Sequence, residues 1–160
     1  MNVVFRPSRV VSGGQTGVDR AALDVAIAHG ITHGGWCPRG RRAEDGRIPD
    51  RYDLREHESP DYGARTERNV VDSDATLVLT VGTPDGGTAL TVRLAARHMR
   101  PSLVVDLDDP PAPASVITWL RANGVGVLNV AGPRESTRPG ISGRAAAYLD
   151  EVLTCAAREA

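Results

Sequence analysis

The stretch Ser12-Gly13-Gly14-Gln15-Thr16-Gly17-Val18-Asp19-Arg20 decides the fold. It follows a short apolar run, Val10-Val11, and its pattern predicts a helix over 16–29. A strand, a glycine-rich turn and a helix in that order form a cradle for an anion. Glycine lets the backbone turn tightly and approach a ligand closely. The free N–H groups and dipole of the helix start then favour negative charge. The spacing is neither the P-loop pattern nor G-x-G-x-x-G: no Gly-Lys-Ser/Thr follows, and the chain has no lysine. Taken alone, such a turn is also compatible with plain architecture.

Working outward, the same logic recurs. Residues 75–81 read as a buried strand, and Val81-Gly82-Thr83-Pro84-Asp85-Gly86-Gly87-Thr88 leads from it into a helix predicted over 88–99. Thr88 is placed there to cap the helix or touch phosphate. Strand-like runs follow at 103–105 and 125–130, and helix-like ones at 115–122 and 143–157. Asn123-Gly124 ends the first of these helices, and Pro110-Pro111-Ala112-Pro113 is a rigid connector ahead of it. Short continuous apolar strands alternating with helices predict an α/β domain with a mostly parallel central sheet and helices on both faces. Ligands of such sheets bind beyond the carboxyl ends of the strands. Both glycine turns reach that edge. So does Ala131-Gly132-Pro133-Arg134-Glu135-Ser136, where Arg134 is a candidate anion clamp and Glu135 would orient it or meet a hydroxyl.

Residues 34–63 break the rhythm. The stretch is rich in Gly, Pro, Arg and Asp, and a connection of that length in a compact domain is usually functional or disordered. Its aromatics, Trp36, Tyr52 and Tyr62, argue for order. Arg39, Arg41, Arg42 and Arg47 crowd one part of it, and arginine suits bidentate contacts to phosphate or carboxylate. Glu44 and Asp45 lie in the same run and also fit a solvated surface. In a helix beginning near residue 65, Arg65, Arg68 and Asn69 share a face.

Composition narrows the classes. A length of 160 residues fits one domain, 1–160. With 19 basic and 20 acidic residues, general affinity for nucleic acid is not expected. No apolar run is long enough to span a membrane, and the N-terminal residues lack a signal-peptide core. The expectation is a cytoplasmic protein. Cys37 and Cys155 are far apart and are not expected to pair; Cys37 reads as a small packed side chain or a reactive thiol. No Cys/His cluster has zinc spacing, and no metal site is expected.

Together the motifs resemble the putative molybdenum carrier family. They are Gly13 to Asp24, Gly35 to Gly46, Arg65-Thr66 with Asn69-Val70, Gly86-Gly87-Thr88, and Leu128 to Ser136. The match runs from about residue 9 to the last helix. The resemblance implies a Rossmann-like fold, related to molybdenum-cofactor carriers and to the wider group of cytokinin-activating phosphoribohydrolases. It implies a nucleotide or a molybdopterin-type cofactor at the strand edge, and a homo-oligomer, dimer or tetramer. The ligand-binding set it implies is Gly13, Gly14, Gln15, Thr16, Gly17, Asp19, Arg20, Trp36, Arg39, Arg65, Asn69, Gly86, Gly87, Thr88, Gly132, Arg134 and Glu135.

One departure divides the functional readings. The phosphoribohydrolases carry Pro-Gly-Gly-x-Gly-Thr-x-x-Glu with a catalytic glutamate, whereas here Thr88-Ala89-Leu90-Thr91-Val92 follows the glycines and no glutamate is among them. Without that carboxylate no group is evident to move a proton at a glycosidic bond. The first reading is therefore a carrier or sensor for a phosphate-bearing small molecule, with loop 34–63 covering it and Trp36 stacking on its ring. The second is a hydrolase of an N-glycosidic or phosphate bond, with Glu44, Asp45 or Asp19 as acid or base. The third is a partner-binding domain with vestigial turns.

Overall fold

The computed structural model describes residues 5–158. Its elements run β1 (Arg9–Val11), α1 (Val18–Ala28), β2 (Thr32–Gly34), β3 (Trp36–Cys37), β4 (Arg42–Ala43), β5 (Gly46–Arg47), β6 (Arg55–Glu56), α2 (Tyr62–Val71), β7 (Ala75–Thr80), α3 (Gly86–Arg97), β8 (Ser102–Asp106), α4 (Pro113–Ala122), β9 (Val127–Ala131) and α5 (Ile141–Arg158). The main sheet has the order β2-β1-β9-β7-β8, and every pairing in it is parallel. This is an α/β Rossmann-like fold.

The layers follow from side-chain period. Leu77 and Leu79 alternate to one face and join Val18, Ala22, Ile117, Leu120, Leu149 and Val152 in the larger core, so α1, α4 and α5 cover that side. Helices α2 and α3 cover the other, through Val70, Leu94 and Ala95. Strand β7 is buried at all six positions, as a strand covered on both faces must be. The α2–α3 face is the more polar: Thr76, Thr80 and Asn129 are buried, and Asn129 Nδ2 donates to Thr76 Oγ1 at 3.2 Å.

The path of the chain creates a crevice. From β1 the chain moves to β2 at one edge; from β7 it moves to β8 at the other; then β9 returns between β1 and β7. The loops leaving β1, β7 and β9 at their carboxyl ends converge there, the place where ligands of open α/β sheets bind.

Residues 34–63 are ordered but do not behave as a lid. Two short ladders, β3 with β6 and β4 with β5, fold them onto α1 around Leu23, Cys37, Ile48, Tyr52 and Leu54. Arg41 holds this excursion together. Its buried guanidinium donates to the carbonyls of Ile48 (3.1 Å), Leu54 (3.3 Å), Pro49 (2.8 Å) and Tyr52 (2.9 Å). It therefore staples the loop and does not wait for an anion. Cys37 is buried in the same cluster, and burial pushes its thiol up, which makes it a packing residue. Strand β2 escapes sequence reading because Thr-His-Gly is not an apolar run; its position beside β1 is set by backbone pairing.

Candidate functional site

A cavity of about 280 Å³ opens where β1, β7 and β9 end. Four segments wall it: Gln15 and Asp19 from the first turn, Tyr62 to Thr66 from α2, Asp85 to Thr91 from α3, and Ala131 to Arg134 with Thr137 after β9.

The start of α3 supplies the donors. The first helical bond runs from Ala89 N to Asp85 O at 3.0 Å, so the N–H groups of Gly86, Gly87 and Thr88 have no partner within the helix. The Asp85 side chain makes no cap bond and reaches Arg138 at 3.4 Å instead. A Cβ added at Gly86 or Gly87 would meet nothing within 4 Å. The backbone is thus bare towards the cavity, as an anion site requires. Thr88 lies inside the first turn, and the N-cap is Asp85.

Two guanidiniums line the same space. Arg65 Nη1 lies 3.8 Å from Asp19 Oδ2, and both side chains are nearly buried, 11% and 7% exposed. Burial pushes the Asp19 carboxyl up, against the pull of Arg65, the Gln15 N–H and Arg134. Burial likewise lowers Arg65, opposed by Asp19. Among the described residues the Arg65 Nε has no hydrogen-bond partner. Arg134 differs: its guanidinium lies 4.8 Å from the Tyr62 ring centroid and makes no ion pair with a described residue. It is the cation of the cavity left available for a ligand. Arg65 also lies over Tyr62, at 5.7 Å.

Most of the first glycine turn is consumed by packing. A Cβ at Gly13 would sit 1.5 Å from Arg65 Nη1; at Gly14, 2.5 Å from Leu54 Cδ1; at Gly17, 2.3 Å from the Pro133 carbonyl. Gly132 is equally crowded, 2.2 Å from the Leu79 carbonyl, while its backbone borders the cavity. Thr16 donates to Glu44 and accepts from Glu135 N at 3.3 Å, outside the cavity. Arg20 donates to the Gly14 carbonyl at 3.0 Å and grips both oxygens of Asp45.

The carboxylates of loop 34–63 are elsewhere than a hydrolase reading needs. Glu44 accepts from Ser136 and Thr16, bonds that hold its carboxyl below the ordinary value. The hydrogen bond from Arg20 does the same for Asp45. Both tie loops together, and neither lines the cavity. Glu135 does not orient Arg134: its carboxylate accepts from Gly140 N (2.6 Å) and Ser142 N (3.2 Å) and so caps α5. Arg39 is exposed and away from the cavity. Trp36 does not face it either, but lines a second cleft, where Asn69 clamps its backbone through both amide atoms, at 2.8 and 2.9 Å. Loop 34–63 therefore does not cover the cavity; only its end, Tyr62 and Gly63, reaches it.

Tyr62, Leu90 and Thr91 enter the wall without having been singled out in the sequence for it. Tyr62 precedes Arg65 by three residues and Thr91 follows Thr88 by three, so helical pitch carries the signal for both. Among the described residues no group of three or more His, Cys, Asp or Glu is placed to hold a metal. Among the described residues no helix is long and apolar enough to cross a membrane.

The all-parallel sheet with helices on both faces, and the cavity at its strand edge, make this a Rossmann-like α/β protein. Residues 10–153 match the model of the circularly permutated YpsA SLOG family, and the chain belongs to that family. It is similar to the crystal structure titled as a putative molybdenum carrier protein from Syntrophus aciditrophicus SB, with 44% identity and a TM-score of 0.89, covering 92% of this chain and 95% of that one. A comparison with curated proteins gives no match.

Proposed function

We propose that this protein holds a phosphate-bearing small molecule, a nucleotide or a molybdopterin-type cofactor, in the cavity at the carboxyl edge of the sheet, as a carrier or sensor. The observation that supports this most is the pairing of bare N–H groups at Gly86, Gly87 and Thr88 with the unpaired Arg134 across one cavity. Phosphate would lie on the α3 start with Arg134 as counter-charge, and Arg65 would add positive potential from below. The similar protein is titled a putative molybdenum carrier protein, which fits the cofactor branch of this reading.

Holding is favoured over hydrolysis by the wall itself. Leu90 and Thr91 stand where a catalytic carboxylate would follow the glycines, and Asp19 is engaged by Arg65 and the Gln15 N–H. A homo-oligomer, dimer or tetramer, is part of the same reading and is checked by light scattering. The deciding experiment is native mass spectrometry of the purified protein, with identification of what denaturation releases, followed by calorimetry with that compound. An intact nucleotide or pterin, bound by wild type and weakly by Arg134→Ala, supports the reading. Equal affinity in both proteins removes Arg134 from it, and turnover of the bound compound removes the carrier.

A further inference from the structure

A second cleft, of about 170 Å³, lies on the α2–α3 side of the sheet, between α2 and the strands β1 and β9. Its floor is Val11 and Val127, and Trp36 forms one wall. Three arginines converge on it from three separate elements: Arg9 from β1, Arg55 from β6 and Arg68 from α2. Arg55 and Arg68 share the Trp36 indole, at 5.9 and 5.0 Å from the ring centroid.

Neutralisation is incomplete. Asp72 is the one carboxylate in the lining; it accepts from Arg68 Nε at 3.0 Å and from Trp36 Nε1 at 2.9 Å. Arg9 and Arg55 have no ion pair with any described residue. Gly34 leaves room for Arg9: a Cβ there would lie 2.1 Å from its Nη2, so the guanidinium rests close beside the β2 backbone. The Trp36 backbone donates to Asn69 Oδ1 and accepts from Asn69 Nδ2, and its indole N–H is held by Asp72. Three cations carried by strand, ladder and helix around one indole, against a single carboxylate, give the cleft a net positive charge.

We infer that this cleft binds a compact polyanion of the polyphosphate class, separately from the cavity at the strand edge. Guanidiniums presented from three sides match the several oxygens of linked phosphates, where forked N–H donors gain most. The inference does not rest on the reading of the first cavity, which shares no lining residue with this cleft. Inorganic polyphosphate and the phosphate chain of a nucleotide share this chemistry.

The chain has two tryptophans, so a Trp119→Phe background leaves Trp36 as the sole indole emitter. That protein is titrated with sodium tripolyphosphate, with ATP and with adenosine, each against sodium chloride at equal ionic strength. The expected result is a saturable change in Trp36 emission with tripolyphosphate, none with adenosine, and at least tenfold weaker binding in Arg9→Ala/Arg55→Ala. It persists in Arg134→Ala. A response to ATP equal to that of tripolyphosphate assigns recognition to the phosphates alone; a tighter one adds the nucleoside. The inference is overturned if sodium chloride reproduces the change, if no saturable change occurs, or if Arg134→Ala abolishes it while the double variant keeps it. Circular dichroism confirms folding of each variant; Arg9 and Arg55 are exposed and Arg134 is half-buried.

Discussion

Asp19 and Arg65 form a nearly buried ion pair, Oδ2 to Nη1 at 3.8 Å, directly beneath the cavity. The pair joins the start of α1 to α2, so it fixes two walls of the cavity relative to each other. Gly13 is what admits it, since any side chain there would collide with the guanidinium.

Breaking that pair on one side leaves a buried charge. Arg65→Met is expected to destabilise the protein by about 3–5 kcal/mol, because Asp19 loses its partner in a site that already penalises the carboxylate. Asp19→Asn in the Arg65→Met background is expected to recover part of the loss. Urea unfolding of the single and double variants measures both, and equal stability of the two would remove charge as the cause.

Glycines separate architecture from site. Gly132→Ala is expected to cost about 1–3 kcal/mol through overpacking against Leu79 and Val18. Gly87→Ala, with open space at its Cβ and no positive φ, is expected to leave the melting temperature within a few degrees while weakening ligand binding by covering the α3 N–H groups. Thermal melts beside calorimetry check the pair; a large stability loss in Gly87→Ala would place it among the architectural glycines.

Arg134→Ala is expected to reduce affinity for the released compound by roughly ten- to a hundredfold, the worth of one charge-assisted hydrogen bond. Stability should change little, because the guanidinium makes no ion pair with a described residue and contributes its place over Tyr62 and a minor attraction to Asp19. Isothermal calorimetry and a urea curve on the same preparation give both quantities.

Glu44 carries a pH signature. Its carboxyl is held below its ordinary 4.5 by Ser136 and Thr16, so the folded state binds its proton less readily than the unfolded one. The stabilisation is present above about pH 4.5 and is lost as pH falls through the lowered value. The stability difference between wild type and Glu44→Gln is therefore expected to shrink on acidification below pH 4.5, as followed by urea unfolding at several pH values. A difference independent of pH would mean that Glu44 is bonded equally well when protonated.

Local pattern was enough for the α/β alternation. Short apolar runs bounded by turn signals, such as Ala75 to Val81, read as strands buried on both faces, and glycine turns ahead of helical segments mark the carboxyl edge of the sheet where the cavity opens. Arg65, Arg134 and the Gly86-Gly87-Thr88 turn were legible for the same reason: each sits at a fixed offset from a strand or helix start. Loop 34–63 was not, because its partners are distant in sequence. Whether Arg41 binds an anion or four carbonyls, and whether Trp36 faces a ligand or Arg9 and Arg68, depends on contacts that only closure of the chain creates. Charge type is written in the sequence, but its partner is chosen by the fold. Glu44, Asp45 and Glu135 look like reagents on the chain, yet in the folded protein N–H and O–H donors brought from other segments, or from the start of α5, turn them into fasteners.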